Sequence, residues 1–343
     1  MDINNIIEKL PKVELHCHLD GSVRPETIFE MLKDQKIALP VKTLEEFERY
    51  VKVIGKCESL KEYLTKFKYP IMVMQDKKNI YRITLELLED CKKQGVKYIE
   101  IRFAPYFHLE KGLTMDEVIE TVLEAMKAGE ERYGVISNLI LCAMRHESVD
   151  KNIELVNTAK KYINKGVVAI DLAGNEHDFP PELHKRVFDL AKEYGFHITI
   201  HAGETGIEQN IIKSIELLHA ERIGHGVFAY KNPEIVQFLI NNNVPLEVCV
   251  TSNYNTEAIE QLKFHPIKSY LEKGIKVTVN TDNETVSNVT LNDEFNILVK
   301  ELKFNVEDIK KVLFNSIEAS FANEGQKALL KNELIKTIKN LNI

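Results

Sequence analysis

Short runs of apolar, often β-branched residues recur along the chain, and amphipathic stretches separate them. Near-continuous apolar runs are typical of parallel strands that are covered on both faces, and their alternation with helical patterns is typical of βα units. Eight such units predict an α/β fold, a closed (β/α)8 TIM barrel. The eight runs are VELHCH (13–18), KYIEIRFA (97–104), NLILCAM (138–144), GVVAIDLAG (166–174), HITIHAG (197–203), ERIGHG (221–226), PLEVCVTSN (245–253) and IKVTVNTDN (275–283).

The segment between the first two runs is longer than the others and carries several helical patterns. Leu44, Phe47 and Val51 fall on one helical face, and Thr43 and Glu46 have the spacing of a capping box before it. The segment follows the C-terminal end of the first strand, where the active sites of barrels lie. We therefore expect residues 24–95 to form a helical insertion, a lid within a single barrel domain of residues 1–343.

Composition and charge limit the classes of function. The chain has 45 Lys and Arg against 52 Asp and Glu, a net charge of −7. Without a basic stripe, we expect no nucleic-acid partner. No apolar run is long enough to cross a membrane and the start lacks a secretory signal, so we expect no membrane partner and a cytoplasmic location. The five dispersed cysteines fit a reducing compartment, and no protein partner is evident.

Residues with metal-ligating side chains gather at the ends of the predicted strands. His16 and His18 end the first strand, His201 the fifth and Asp282 the eighth. Side chains two residues apart share a face of a strand, so the first pair points into the barrel and Cys17 points outward. Three imidazoles and one carboxylate form a ligand set that zinc or a similar divalent ion accepts. We therefore expect a metal site at one mouth of the barrel.

Two further polar residues follow neighbouring strands, and each has two interpretations. Glu204 lies in the turn HAGET, where it is either a residue of the next helix's first turn or a proton donor beside the metal. His225 lies between Gly224 and Gly226, where it is either a packed loop histidine or a base or electrostatic partner of the metal's water. The residues alone leave both alternatives open.

The remaining polar candidates carry weaker signals. Asp20 and Gly21 form either a turn or a contact from the first strand's loop to a substrate. Gly174 permits either a tight turn or the approach of a flat ring to the backbone. Arg102 and Arg145 are expected to pair with acidic neighbours, and we assign them no chemical step.

Seven segments, in their order along the chain, resemble the adenosine deaminases of the metal-dependent amidohydrolase superfamily. The resemblance implies a hydrolase acting on C–N bonds in cyclic amidines. Such an enzyme deaminates adenosine and 2′-deoxyadenosine to inosine, deoxyinosine and ammonia in purine salvage, so its partner is a small purine nucleoside. The segments are PKVELHCHLDGS (11–22), AIDLAG (169–174), HITIHAGE (197–204), RIGHG (222–226), VTSN (250–253), VNTDN (279–283) and NSIEASF (315–321).

The resemblance also implies a role for each matching residue. Glu204 protonates purine N1, while His225 and Asp282 position and deprotonate the attacking water. The fourth run contains no lysine that would bridge two metals, which favours one zinc ion per chain. The implied zinc ligands are His16, His18, His201 and Asp282.

The implied substrate contacts include one departure from the family pattern. Gly174 donates its backbone N–H to purine N3, Asp20 binds the ribose 5′-hydroxyl, and His18 also contacts the substrate. The family's usual Asp-Asp-Pro is Asp282-Asn283-Glu284 here, so Asn283 stands where an aspartate meets purine N7. Because N7 is an acceptor, an asparagine amide can donate to it directly. We expect an active enzyme whose rate and specificity reflect this amide.

Three other functions compete with adenosine deamination. The closest is deamination of adenine or of N6-modified AMP, since such relatives have similar motifs. Adenine-specific relatives tend to carry Glu and nucleotide-acting relatives Asn at the position of Asp20, which favours the nucleoside. A catalytically silent barrel that binds purine or metal is suggested only by Asn283, and a zinc-dependent amide or ester hydrolase is weakened by the missing lysine.

Overall fold

The apolar runs form eight parallel strands whose hydrogen-bonded order is their order along the chain. The computed structural model describes residues 2–343. The prediction of a (β/α)8 barrel is confirmed, because each run overlaps one strand and helices separate them. The strands are β1 Lys12–His18, β2 Val96–Phe103, β3 Ile136–Met144, β4 Val167–Ala173, β5 His197–Ala202, β6 Arg222–His225, β7 Leu246–Val248 and β8 Val277–Val279.

The last strand meets the first through the residues that follow it. Asp282 donates its backbone N–H to the carbonyl of His16 at 2.8 Å and accepts the N–H of His18 at 2.7 Å. These bonds form a parallel bridge between Cys17 and Asp282. The seam of the barrel is therefore closed at residues that the sequence identified as candidate metal ligands.

One helix precedes the first strand, and the others lie between and after the strands. None of those in residues 2–343 is both long and apolar enough to cross a membrane. In chain order they are α1 Ile3–Lys9, α2 Pro25–Asp34, α3 Leu44–Val51, α4 Leu60–Leu64, α5 Lys68–Val73, α6 Lys77–Lys93, α7 Met115–Tyr133, α8 Val149–Ala159, α9 Lys185–Glu193, α10 Gln209–Leu218, α11 Pro233–Asn241, α12 Val250–Asn255, α13 Ile267–Lys273, α14 Leu291–Lys300, α15 Val306–Ala319 and α16 Glu324–Leu341.

The segment between β1 and β2 contains five helices, α2 to α6. The hydroxyl of Thr43 accepts the N–H of Glu46, so the predicted start of α3 carries a side-chain cap. Helix α6 packs against β2 and α7, as a barrel helix does. The part inserted into the barrel pattern is therefore α2 to α5, and the predicted range 24–95 also contains one regular helix.

Aromatic packing holds the inserted helices together. The ring of Phe47 on α3 is fully buried. Its centroid lies 5.4 Å from that of Phe29 on α2 and 5.3 Å from that of Tyr69 on α5. Because these rings come from α2, α3 and α5, the side chain of Phe47 packs these three helices against one another.

We predict that Phe47→Ala lowers the free energy of unfolding by roughly 3–5 kcal/mol, because it leaves a cavity among three helices. Urea unfolding followed by circular dichroism measures the change. Ile54→Ala in the same insertion is the control, since Ile54 is 80% exposed and its truncation should change the free energy by less than about 0.5 kcal/mol. Equal effects of the two substitutions would contradict the packing role of Phe47.

Candidate active site

Four predicted ligands converge at the carboxyl ends of the strands. Each of His16, His18, His201 and Asp282 offers one atom, and these four atoms lie within 4.8 Å of one another. Asp282 Oδ1 is 3.3 Å from His16 Nε2 and 3.4 Å from His18 Nε2. His18 Nε2 and His201 Nε2 are 3.2 Å apart. Nitrogen and oxygen atoms at this spacing, in a buried setting, are suited to surround a divalent cation.

Carboxylates behind two of the imidazoles fix the orientation of their rings. His16 Nδ1 lies 2.8 Å from Glu247 Oε2, and His201 Nδ1 lies 3.1 Å from Asp171 Oδ1. A carboxylate on one ring nitrogen leaves the other nitrogen free to bind a metal and makes it a stronger ligand. Both carboxylates therefore support the cluster of candidate ligands from within the barrel.

A buried guanidinium joins these two carboxylates. Arg102 Nη1 lies 3.1 Å from Asp171 and Nη2 lies 2.8 Å from Glu247, and all three side chains are fully buried. Burial opposes the ionisation of Asp171, but its interactions with the His201 imidazole and the Arg102 guanidinium outweigh this and lower the pKa of Asp171. Burial likewise opposes the ionisation of Glu247, and the charges of Arg102 and Arg222 hold its pKa well below its usual range. Both carboxylates are therefore ionised.

The sequence motifs do not identify Asp171 and Glu247 as site residues, although each is a charged residue within an apolar strand. Asp171 is the one charged residue of GVVAIDLAG, and Glu247 interrupts PLEVCV. A charged side chain inside an apolar strand must find a partner when it is buried. The prediction that Arg102 pairs with acidic residues is correct, whereas Arg145 donates to the carbonyls of Phe179 and His201.

Asp282 combines a strained backbone with an ionised side chain. Its φ is +61°, a left-handed conformation that costs a non-glycine residue about 1–2 kcal/mol. Burial opposes its ionisation, but the contact with the His16 imidazole outweighs this and holds the pKa of Asp282 well below its usual range. Ser252 Oγ donates to Asp282 Oδ2 at 2.6 Å, which leaves Oδ1 directed at the imidazoles.

Glu204 and His225 lie together beside the cluster. Glu204 is 8% exposed, and burial, followed by the nearby charge of Asp282, raises its pKa well above the usual range. His225 Nε2 is 3.8 Å from Glu204 Oε2, and burial lowers the pKa of His225. Burial therefore favours the protonated form of this carboxyl and the neutral form of this imidazole. This favours the chemical interpretation of both residues over the structural one.

A cavity of about 280 Å³ opens over the cluster. Its floor is formed by polar residues at the strand ends, and its walls are largely apolar. The polar members include His18, Asp20, Gly174, Glu204, His225, Asp282 and Asn283. The apolar wall includes Leu60, Leu64, Phe67 and Ile71 from the inserted helices and Phe107 and Met144 from the barrel. The inserted helices thus form part of the cavity wall, and the space suits a small molecule.

Asp20 and Asn283 each present an unsatisfied polar atom beside the cavity. No residue in 2–343 provides a hydrogen-bond partner for Asp20 Oδ1 or Asn283 Oδ1. Burial raises the pKa of Asp20 to about 7. Asn283 Nδ2 donates to the hydroxyl of Tyr63 at 3.0 Å, and a Cβ at Gly21 would lie 1.7 Å from Asn283 Oδ1. The absence of a side chain at Gly21 therefore leaves space for the side-chain amide of Asn283.

The chain is similar to known proteins along nearly its whole length. The family model described as Adenosine deaminase matches residues 11–337. A protein named adenosine deaminase from Clostridium kluyveri is 58% identical over 338 residues, 98% of this chain and 97% of the relative. One of that name from Clostridium acetobutylicum is 56% identical over 334 residues, 97% of this chain and 100% of the relative. The crystal structure of an adenine deaminase from Arthrobacter aurescens has a TM-score of 0.90 and 31% identity, covering 96% of this chain and 99% of that one.

We predict that Asp171→Asn weakens zinc binding about 10- to 100-fold, because the carboxylate that orients His201 is lost. Zinc retention in competition with a chelator measures the change. The control is Asp189→Asn, which alters an exposed Asp–His pair with His219 on the surface. The orienting role of Asp171 is wrong if both variants retain zinc as well as the unmodified protein does.

Proposed function

The chain belongs to the adenosine deaminase family, and from this premise we propose that it hydrolyses adenosine and 2′-deoxyadenosine to inosine, 2′-deoxyinosine and ammonia. The reaction replaces the amino group on purine C6 by oxygen from water. One observation carries the proposal: the buried carboxyl of Glu204 shares a cavity with the imidazole and carboxylate cluster. An acid beside a metal site is suited to remove ammonia from a ring by hydrolysis.

His16, His18, His201 and Asp282 would hold one zinc ion per chain. The donor set of three imidazoles and a carboxylate suits zinc. His16 Nε2 is buried and has no hydrogen-bond partner among residues 2–343, as expected of an atom that serves as a ligand. When bound, zinc supplies a hydroxide nucleophile near neutral pH.

Three side chains manage the protons of the reaction. Glu204 gives its proton to purine N1, which relieves the charge that develops as C6 becomes tetrahedral. Asn253 Nδ2 lies 3.1 Å from His225 Nδ1, and an amide nitrogen can only donate, so the neutral imidazole carries its proton on Nε2. His225 therefore orients the attacking water by donating from Nε2. Asp282, the ionised carboxylate, accepts the proton of that water.

Four residues of the cavity bind the nucleoside. The backbone N–H of Gly174 donates to purine N3, and Asn283 Nδ2 donates to N7. Asp20 binds the ribose 5′-hydroxyl, which would supply the hydrogen-bond partner that Oδ1 lacks among the described residues. His18, whose ring is partly exposed to the cavity, lies against the substrate.

The cavity favours an uncharged nucleoside over a nucleotide. Among the described residues that line it, none is Lys or Arg, so a phosphate would enter without a permanent cation to pair with. Asp20 would repel that phosphate when ionised. Ammonia release from adenosine, 2′-deoxyadenosine, adenine, AMP and N6-methyl-AMP tests the assignment. Faster turnover of adenine or of either nucleotide would overturn it.

We predict that Glu204→Gln lowers kcat on adenosine by at least about 100-fold, because the proton donor to N1 is lost. Zinc content should stay at that of the unmodified protein, since no ligand is changed. Metal analysis and steady-state kinetics on the same preparation measure both quantities. Full turnover by the variant would exclude Glu204 as the donor.

We predict that Asn283→Ala lowers kcat/KM on adenosine about tenfold or more, because a hydrogen bond to N7 is lost. The matched control is chemical: 7-deazaadenosine carries a C–H group in place of N7. The kcat/KM on 7-deazaadenosine should be lower than that on adenosine for the unmodified protein, and Asn283→Ala should leave it unchanged. Equal values of kcat/KM on adenosine for the two proteins would exclude the contact.

A further inference from the structure

The carboxylate of Glu176 accepts five hydrogen bonds, four of them from the turn that carries Glu204. Its Oε1 accepts the N–H of Glu204 at 2.6 Å, the N–H of Thr205 at 2.7 Å and the hydroxyl of Thr205 at 3.1 Å. Its Oε2 accepts the N–H of Gly203 at 2.9 Å and the side-chain amide of Asn210 at 3.1 Å. Glu176 is 2% exposed, so these bonds are shielded from water.

Two carbonyls are held from other directions, that of His201 near the end of β5 and that of Gly203 in the turn. Arg145 Nη2 donates to the carbonyl of His201 at 2.7 Å. The N–H of Phe228 donates to the carbonyl of Gly203 at 3.0 Å. One guanidinium and one backbone amide therefore hold these two carbonyls, while Glu176 accepts three consecutive N–H groups of the turn.

Backbone geometry explains why a carboxylate is needed. Gly203 has φ +66°, and a Cβ there would lie 2.6 Å from Ile211. A left-handed residue in a turn directs successive N–H groups into one concave nest that favours an anion. A buried N–H without an acceptor costs about 1–3 kcal/mol. The turn therefore needs a side-chain acceptor in the nest, and Glu176 is that acceptor.

We propose that Glu176 is a positioning residue for the proton donor. It acts through the backbone of residues 203–205 and sets where the carboxyl of Glu204 meets purine N1. The inference rests on the proposed role of Glu204 and adds a residue that the family motifs did not point to. It also joins two substrate contacts, because Glu176 lies two residues after Gly174 in the chain.

The substitution Glu176→Gln tests the proposal, because the side chain keeps its shape while one oxygen becomes a nitrogen that cannot accept. Displacing the proton donor by a fraction of an ångström should lower kcat on adenosine about 10- to 100-fold, with KM changed by less than about threefold. Zinc content should remain unchanged. Amide hydrogen exchange should become faster at residues 203–205.

Two further variants separate positioning from general damage. Glu182→Gln removes the same charge from the same β4–α9 segment, where Glu182 pairs with Lys213, and should leave kcat and amide exchange at residues 203–205 unchanged. Glu176→Asp keeps the carboxylate and should recover part of the kcat that Glu176→Gln loses. If the glutamine variant does not fold, the aspartate variant carries the same measurements with a smaller expected fall.

A second substitution in the Glu204→Gln background completes the test. Because Glu176 acts through Glu204, adding Glu176→Gln there should lower the residual kcat by less than about twofold. The proposal would be overturned if the double variant lost kcat by the product of the two separate reductions. It would also be overturned if Glu176→Gln lost zinc in parallel with activity, or if amide exchange at residues 203–205 were unchanged. Failure of the unmodified protein to deaminate adenosine would refute the proposed function instead, and amide exchange would still report whether Glu176 holds the turn.

Discussion

The buried guanidinium of Arg102 is the interaction on which the active site depends. It separates Asp171 from Glu247, and these carboxylates hold His201 and His16. Transferring an ion into a protein interior costs several kcal/mol, and removal of one partner leaves the others unpaired. The network is therefore stable only when complete. Because it lies inside the barrel, the same charges set both the spacing of three strands and the planes of two imidazoles.

The seam of the barrel gives the second constraint. The backbone of Asp282 pairs with His16 and His18, while its side chain stands between their rings. Closing the sheet therefore brings three candidate ligands together in one step. The strained φ of Asp282 is the cost of turning the side chain inward at the point where the strand ends.

The sequence predicts the barrel well because strand burial leaves a periodic signal in apolar residues. It also predicts which polar residues end the strands, since parallel strands bring those ends to one mouth. The supporting contacts are harder to predict, because Arg102 and Glu247 come from distant strands and meet only through closure. Glu176 carries no signal of its own, since its partners are backbone amides of another loop. The 24–95 pattern likewise could not show that α6 packs as a barrel helix.

The short segment from Gly174 to Glu176 has a consequence for ring substituents. In the proposed binding mode, Gly174 meets N3, and Glu176 fixes the group that meets N1. These two nitrogens flank C2 of the purine. A group on C2 would therefore point between the contact to N3 and the contact to N1, both of which depend on the segment from Gly174 to Glu176. Enlarging the space between these two contacts would pull the proton donor away from the ring. In this binding mode, selectivity at C2 and acid catalysis would be mechanically coupled, so that a change in one would affect the other.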